Sequence, residues 1–173
     1  MDMRTKIAVA LVIGAVGMLC GGSSLLASED PVDACSLLTQ ARVSAVLGVS
    51  VGPGEYVNGD VPGNHPSHRL ECRWGVPGEG SFGSKRVLLH MFGPIGKLTP
   101  AERFENAKKP VQGITKTPVS GVGDDAYYIE SGLNTSLYVK KGSSVFQIIV
   151  FGFSAEQIKA MEKALGQEAA AKL

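Results

Sequence analysis

The sequence predicts an α+β domain built on an antiparallel β-sheet with helices packed on it. Three observations carry the prediction. Two strand-like segments precede a capped helix, three more strands follow it as a meander, and a long helical segment closes the chain.

The elements follow in order. In "DACSLLTQARVSAVLG", Leu38, Val43, Val46 and Leu47 form a helical stripe, and Gly48 supplies a stop. Residues 48–66 are rich in Gly and Pro and read as an irregular excursion with one short strand. "RLECRWG" alternates Leu70, Cys72 and Trp74 on one face, and "KRVLLHMFG" does the same with Val87, Leu89 and Met91. "TPAERFENAKK" opens with a Thr99–Glu102 capping box and Pro100 at the first helical position, so it is a helix. "DAYYIE", "TSLYVKK" and "SSVFQIIVFG" are strands, joined by "SGLN" and by a turn at Gly142. The last is apolar on both faces, as a central strand covered on each side would be. "SAEQIKAMEKALGQEAAAKL" has a Ser154–Gln157 box, a stripe of Ile158, Met161 and Leu165, and Gly166 as a candidate kink.

The N-terminus predicts export. Arg4 and Lys6 precede the uncharged Ile7–Leu19, and small residues follow before the acidic "SEDPVD". This is the pattern of a secretory signal peptide over residues 1–27, cut after Ala27, with residues 28–173 forming one exported domain, periplasmic or secreted. Two alternatives stay open. Cys20-Gly-Gly-Ser-Ser resembles the start of a mature lipoprotein, although Leu19 stands where such a signal wants Gly, Ala or Ser. The stretch Ile7–Ala27 is also near the roughly 20 residues that span a bilayer, although glycines and serines interrupt it. A membrane role arises only through these two routes.

Removing residues 1–27 takes away Arg4, Lys6 and Asp2, which brings 17 basic and 16 acidic side chains to 15 of each. A chain with no net charge lacks the basic surplus that neutralises phosphates, so nucleic acid is excluded as a partner.

Cys35 and Cys72 remain after cleavage, and an even count in an oxidising compartment favours a disulfide between them. Loop-closure entropy over that separation is worth roughly 4 kcal/mol. The competing reading takes His65 and His68 in "NHPSHRLEC" with Cys72 as a zinc site, which needs an unpaired Cys72 and a fourth ligand.

The most site-like stretch is "VSGVGDDAYY". Its two carboxylates would repel a phosphate, no Lys-Ser or Lys-Thr follows, and they fall short of the six to eight or so oxygens calcium takes. Gly121 and Gly123 suit positive φ and an Asp side chain can hold turn N–H groups, so the stretch reads as a turn feeding a strand. "GVPGEGSFGSK" has Gly83-Ser84-Lys85 in the wrong order for a nucleotide loop and reads as a hairpin loop. No Gly-x-Ser-x-Gly elbow surrounds any serine, and His90 sits in a strand opposite Leu89 and Met91.

Together, "ACSLLTQARVSAVLG", "ECRW", "VSGVGDDAYY" and "LYVKKGSSVFQIIV" resemble, in the same order, a family of exported bacterial proteins of unknown function. The chain departs from it at Arg42, where the family usually has Glu, so the first helix lacks its capping box. The resemblance implies a PsbP-like α/β/α sandwich, similar to mycobacterial lipoproteins of the LpqN type and to extracellular sensor domains. It also implies the Cys35–Cys72 disulfide and a role in binding or docking. The expectation is an exported, non-enzymatic binding or accessory domain without a cofactor, its partner an envelope protein or a small ligand. The alternative is a metal-dependent factor or enzyme using His65, His68, Asp124 and Asp125.

Overall fold

In the computed structural model, residues 32–57, 70–79, 85–132 and 134–173 are described. The first helical stripe is broken in two, as α1 (Ala34–Leu37) and α2 (Gln40–Leu47). Leu38 leaves the helical region at φ −128° and ψ 141°, and Thr39 starts the second helix by accepting the Arg42 N–H at 3.2 Å. Arg42 has no acid to return to the cap and instead reaches across to Glu168 at 2.6 Å. Gly48 ends α2 at φ 66°, a left-handed stop that glycine adopts without strain.

The remaining elements are β1 (Glu55–Tyr56), β2 (Glu71–Gly75), β3 (Arg86–Met91), α3 (Pro100–Ala107), β4 (Thr115–Pro118), β5 (Asp125–Ser131), β6 (Asn134–Lys141), β7 (Ser144–Phe151) and α4 (Ala155–Ala170). The strands form one seven-stranded sheet in the order β1-β2-β3-β7-β6-β5-β4, antiparallel throughout. The α+β class is therefore observed, with β7 at the centre. Strand β4, "TKTP", had no counterpart in the sequence reading. It is an edge strand with mostly exposed side chains and no apolar alternation, and Pro118 is tolerated because an edge strand has only one neighbour to bond.

One face of the sheet carries the main core. Cys72, Trp74, Val87, Leu89, Phe146 and Ile148 point to it, and α1, α2 and α4 close over them. Cys35 and Cys72 form a disulfide with Cα atoms 5.1 Å apart, tying α1 to β2. The chain after α2 passes so close that a Cβ at Gly54 would lie 2.8 Å from Cys72 Sγ and 2.9 Å from Trp74 Nε1. Gly166 does not kink α4, which runs unbroken. A Cβ there would lie 2.7 Å from Leu137 Cδ2, so glycine is what lets this helix sit down on β6.

The stripe of α4 is completed by an acid. Ile158, Glu162, Leu165 and Ala169 share the buried face, and Glu162 is fully buried. The β6–β7 ladder ends at the Leu137–Ile148 pair, so Val150 has no β6 partner for its N–H, and it donates to Glu162 Oε1 at 3.1 Å. Oε2 has no partner among the described residues. Burial pushes this carboxyl up to about 8, against the pull of the Val150 N–H and Lys159.

Among the described residues the opposite face is covered only in part. Phe104 of α3 packs on Tyr127 and Val145, with Phe92, Ile129 and Tyr138 around them. Among the described residues no helix is long and apolar enough to cross a membrane.

Glu162 gives the fold a pH signature. Between the ordinary carboxyl value of 4.5 and about 8, the folded chain keeps a proton that the unfolded chain has lost. Stability must then fall as pH rises through that window, by up to about 1.4 kcal/mol per unit, and level off above it. Glu162→Gln keeps an oxygen for the Val150 N–H and removes the proton. Its melting midpoint relative to wild type should rise from about pH 5 to about pH 8 and level off above that. A difference that stays constant over that range would show that Glu162 does not titrate there.

Candidate functional site: the cleft beneath α3

The two adjacent aspartates do not share a site. Asp124 lies at the end of the glycine turn, where Oδ2 accepts the Gly142 N–H at 2.7 Å and Oδ1 meets Lys141 Nζ at 2.8 Å. Its own N–H donates to Lys140 O at 2.9 Å, so it latches this turn to the β6–β7 hairpin. The Gly142 N–H, helped by Lys141, holds the Asp124 carboxyl below the usual carboxylate range. Asp125 faces the other way, pairing with Lys108 at the end of α3. His65 and His68 lie outside the described residues, as do Cys20 and Ala27. Cys72 is taken by the disulfide, so it is not a thiolate ligand. Among the described residues, no three His, Cys, Asp or Glu side chains gather where they could hold a metal.

The glycines of the turn differ in what they do. Gly121 (φ 77°) has open space, with Gln167 Nε2 3.9 Å from a notional Cβ. Gly123 (φ 58°) would place a Cβ 2.5 Å from Lys140 O and 2.7 Å from Val139 Cγ1. His90 is partly exposed, 3.7 Å from Glu71, with its ring edge-on to Phe92 at 4.8 Å. It has no nucleophile beside it among these contacts.

What stands out instead is a cleft that the sequence analysis did not single out. Helix α3 is held along its β5–β6 side by Lys108 on Asp125, by Lys140 on Glu105 at 2.8 Å, and by the Tyr127 hydroxyl donating to Phe104 O at 3.3 Å. Phe104 is its one fully buried side chain. Between the helix, Phe92 and the β6 and β7 side chains Tyr138 and Val145 lies a cavity of about 310 Å³. Phe92, Leu98, Phe104, Ala107, Tyr138 and Val145 supply its apolar wall, and Arg103 and Asn106 its polar groups. Tyr138 stacks on Tyr127 with centroids 5.6 Å apart and packs against Phe92 at 5.5 Å, so the floor is aromatic.

Two tight turns flank the helix. Ile95 and Leu98 exchange backbone hydrogen bonds at 3.0 Å just before the Thr99 cap, and Val111 accepts the Ile114 N–H just beyond the helix. Ile95, Leu98 and Val111 are 60%, 45% and 53% exposed, large apolar side chains left in solvent around one element. The capping box at Thr99 and Glu102 fixes where α3 begins, and so fixes which residues reach the cleft.

Two outcomes test the reading of the turn. Gly121→Ala should cost about 1–2 kcal/mol, the price of a left-handed side chain, and Gly123→Ala distinctly more, because its Cβ also strikes β6. Equal melting midpoints for the two would contradict the close approach. Asp124→Asn should lower the midpoint equally in calcium and in chelator. A wild-type midpoint raised by calcium, with the rise lost in Asp124→Asn, would mean the turn holds a cation.

Searches against family models, curated proteins and solved structures returned no match to this chain, so the reading of its function rests on its own residues.

Proposed function

We propose that the chain is an exported, non-enzymatic binding domain whose working surface is the cleft beneath α3. The observation that carries the reading is the apolar cavity of about 310 Å³ with exposed Ile95 and Leu98 close by. Its size is at the low end of the roughly 300–1,000 Å³ of small-molecule sites, and aromatic walls with a few polar groups are typical of them. Export is supported by the signal-like N-terminus and by the disulfide, which persists in oxidising compartments. Helices on both faces of the sheet agree with the PsbP-like sandwich that the sequence motifs suggest. The polar groups near the cleft support binding over catalysis. Lys108, Lys140, Glu105 and Asp125 neutralise one another and do not converge on a point where a substrate atom could react.

The test is a neutral solvatochromic dye, Nile red, titrated into the full exported domain. Wild type should bind it saturably. Ala107→Phe, which puts a ring into the cavity from the α3 side, should abolish binding while leaving the melting midpoint near that of wild type. Unsaturable binding, or binding untouched by Ala107→Phe, would move the function away from this cleft.

A further inference from the structure

The wall of the cleft contains one cation that no carboxylate of the described residues neutralises. Arg103 is half-buried, donates Nη1 to Gly93 O at 2.7 Å, and lies 4.9 Å from the centroid of the Phe92 ring. No carboxylate pairs with it among the described residues. Its neighbours differ. Lys108 has Asp125 and Glu105, Lys140 has Glu105, and the adjacent acid, Glu102, is turned back onto the Thr99 cap at 2.8 and 2.9 Å. A guanidinium has five N–H donors in a planar fork that suits a carboxylate, and only one bond is made here. Beside it, the Tyr138 hydroxyl has no protein partner among the described residues. It lies near enough to Arg103 for that charge to act on the phenol.

A half-buried guanidinium with unused N–H donors, set in the wall of an aromatic cavity, is a ready partner for an anion. We propose that the cleft binds a single-chain fatty carboxylate, its chain against Phe92, Leu98, Phe104 and Val145 and its carboxylate on Arg103, with the Tyr138 hydroxyl as a second donor. The proposal rests on the cleft being a binding site and adds the class of ligand. A medium chain suits the volume of about 310 Å³, and one planar cation suits one carboxylate.

Calorimetric titration of the full exported domain with decanoate and with decanol separates the parts. Wild type should prefer decanoate by about tenfold or more, the scale of a charge-assisted hydrogen-bonded pair, and salt should erode that preference. Arg103→Gln should bring decanoate down to the level of decanol, lowering decanoate binding by a larger factor than decanol or Nile red binding. Arg103→Lys keeps the charge but loses the fork, and should fall between. It also keeps the test decisive should Arg103→Gln melt early. Equal affinity for decanoate and decanol in wild type would overturn the carboxylate assignment. Nile red bound with neither chain bound would overturn the ligand class and spare the binding cleft. Loss of all three would remove both readings.

Discussion

The alternation of β7 is the constraint from which the rest of the architecture follows. Phe146, Ile148 and Val150 point to one face of the sheet, and Val145, Ile149 and Phe151 to the other, so both faces of the central strand are apolar. Helical cover is unequal. Three helices close the first face, with α4 running sixteen residues across β6 and β7. On the second face α3 is the only helix among the described residues, and it has eight. Eight helical residues extend about 12 Å, whereas seven strands span about 29 Å. Helix α3, lying against β6 and β7, therefore covers only part of that face among the described residues, and the cleft lies beside it.

The well-covered face bears a cost of its own. Strands β6 and β7 part beyond Leu137 and Ile148, which would leave the Val150 N–H buried and unbonded. Such a group costs about 1–3 kcal/mol if unsatisfied. Glu162 reaches it from α4, and the same helix turn offers Lys159 O to the Tyr128 hydroxyl at 2.5 Å and Lys159 Nζ to Glu130 at 2.8 Å. The opening in the ladder is thus sealed by one helix turn, and the helix is held there by Gly166 lying almost on Leu137. Packing and polar satisfaction fix the same register of α4 on the sheet.

These particulars explain what could be read in advance. Capping boxes are local, and both Thr99–Glu102 and Ser154–Gln157 stand where the sequence put them. Alternating strands such as Cys72–Trp74 and Val87–Leu89–Met91 declare their buried side through period two. The disulfide followed from a count of two. The break at Leu38 was hidden because Thr39 can be a helix interior residue or a cap, and only its contact with the Arg42 N–H decides. Strand β4 was hidden because an exposed edge needs no pattern. Glu162 sits at a stripe position, four residues after Ile158 and three before Leu165, but a charge there reads as surface until β6 and β7 are seen to part. The cleft was the least legible feature, since Phe92, Arg103, Tyr138 and Val145 come from four segments that only the sheet order brings together.

The charges around α3 decide whether the cleft is a packing defect or a shaped site. Exposed ion pairs such as Lys108–Asp125 and Lys140–Glu105 contribute little energy each, at most about 1 kcal/mol. The helix is attached mainly through Phe104, while the pairs and the two flanking turns set its rotation. That rotation brings Arg103, Asn106 and Ala107, one turn of the helix, to the cleft. A helix free to settle would roll to bury more of its apolar surface, or a larger side chain at position 107 would fill the space, because cores close gaps of a methyl group or more. Here alanine stands over the gap, the ion pairs tie the helix to β5 and β6, and a guanidinium that no described carboxylate neutralises borders the opening. A packing defect gives no reason for that cation, whereas the proposed carboxylate ligand does.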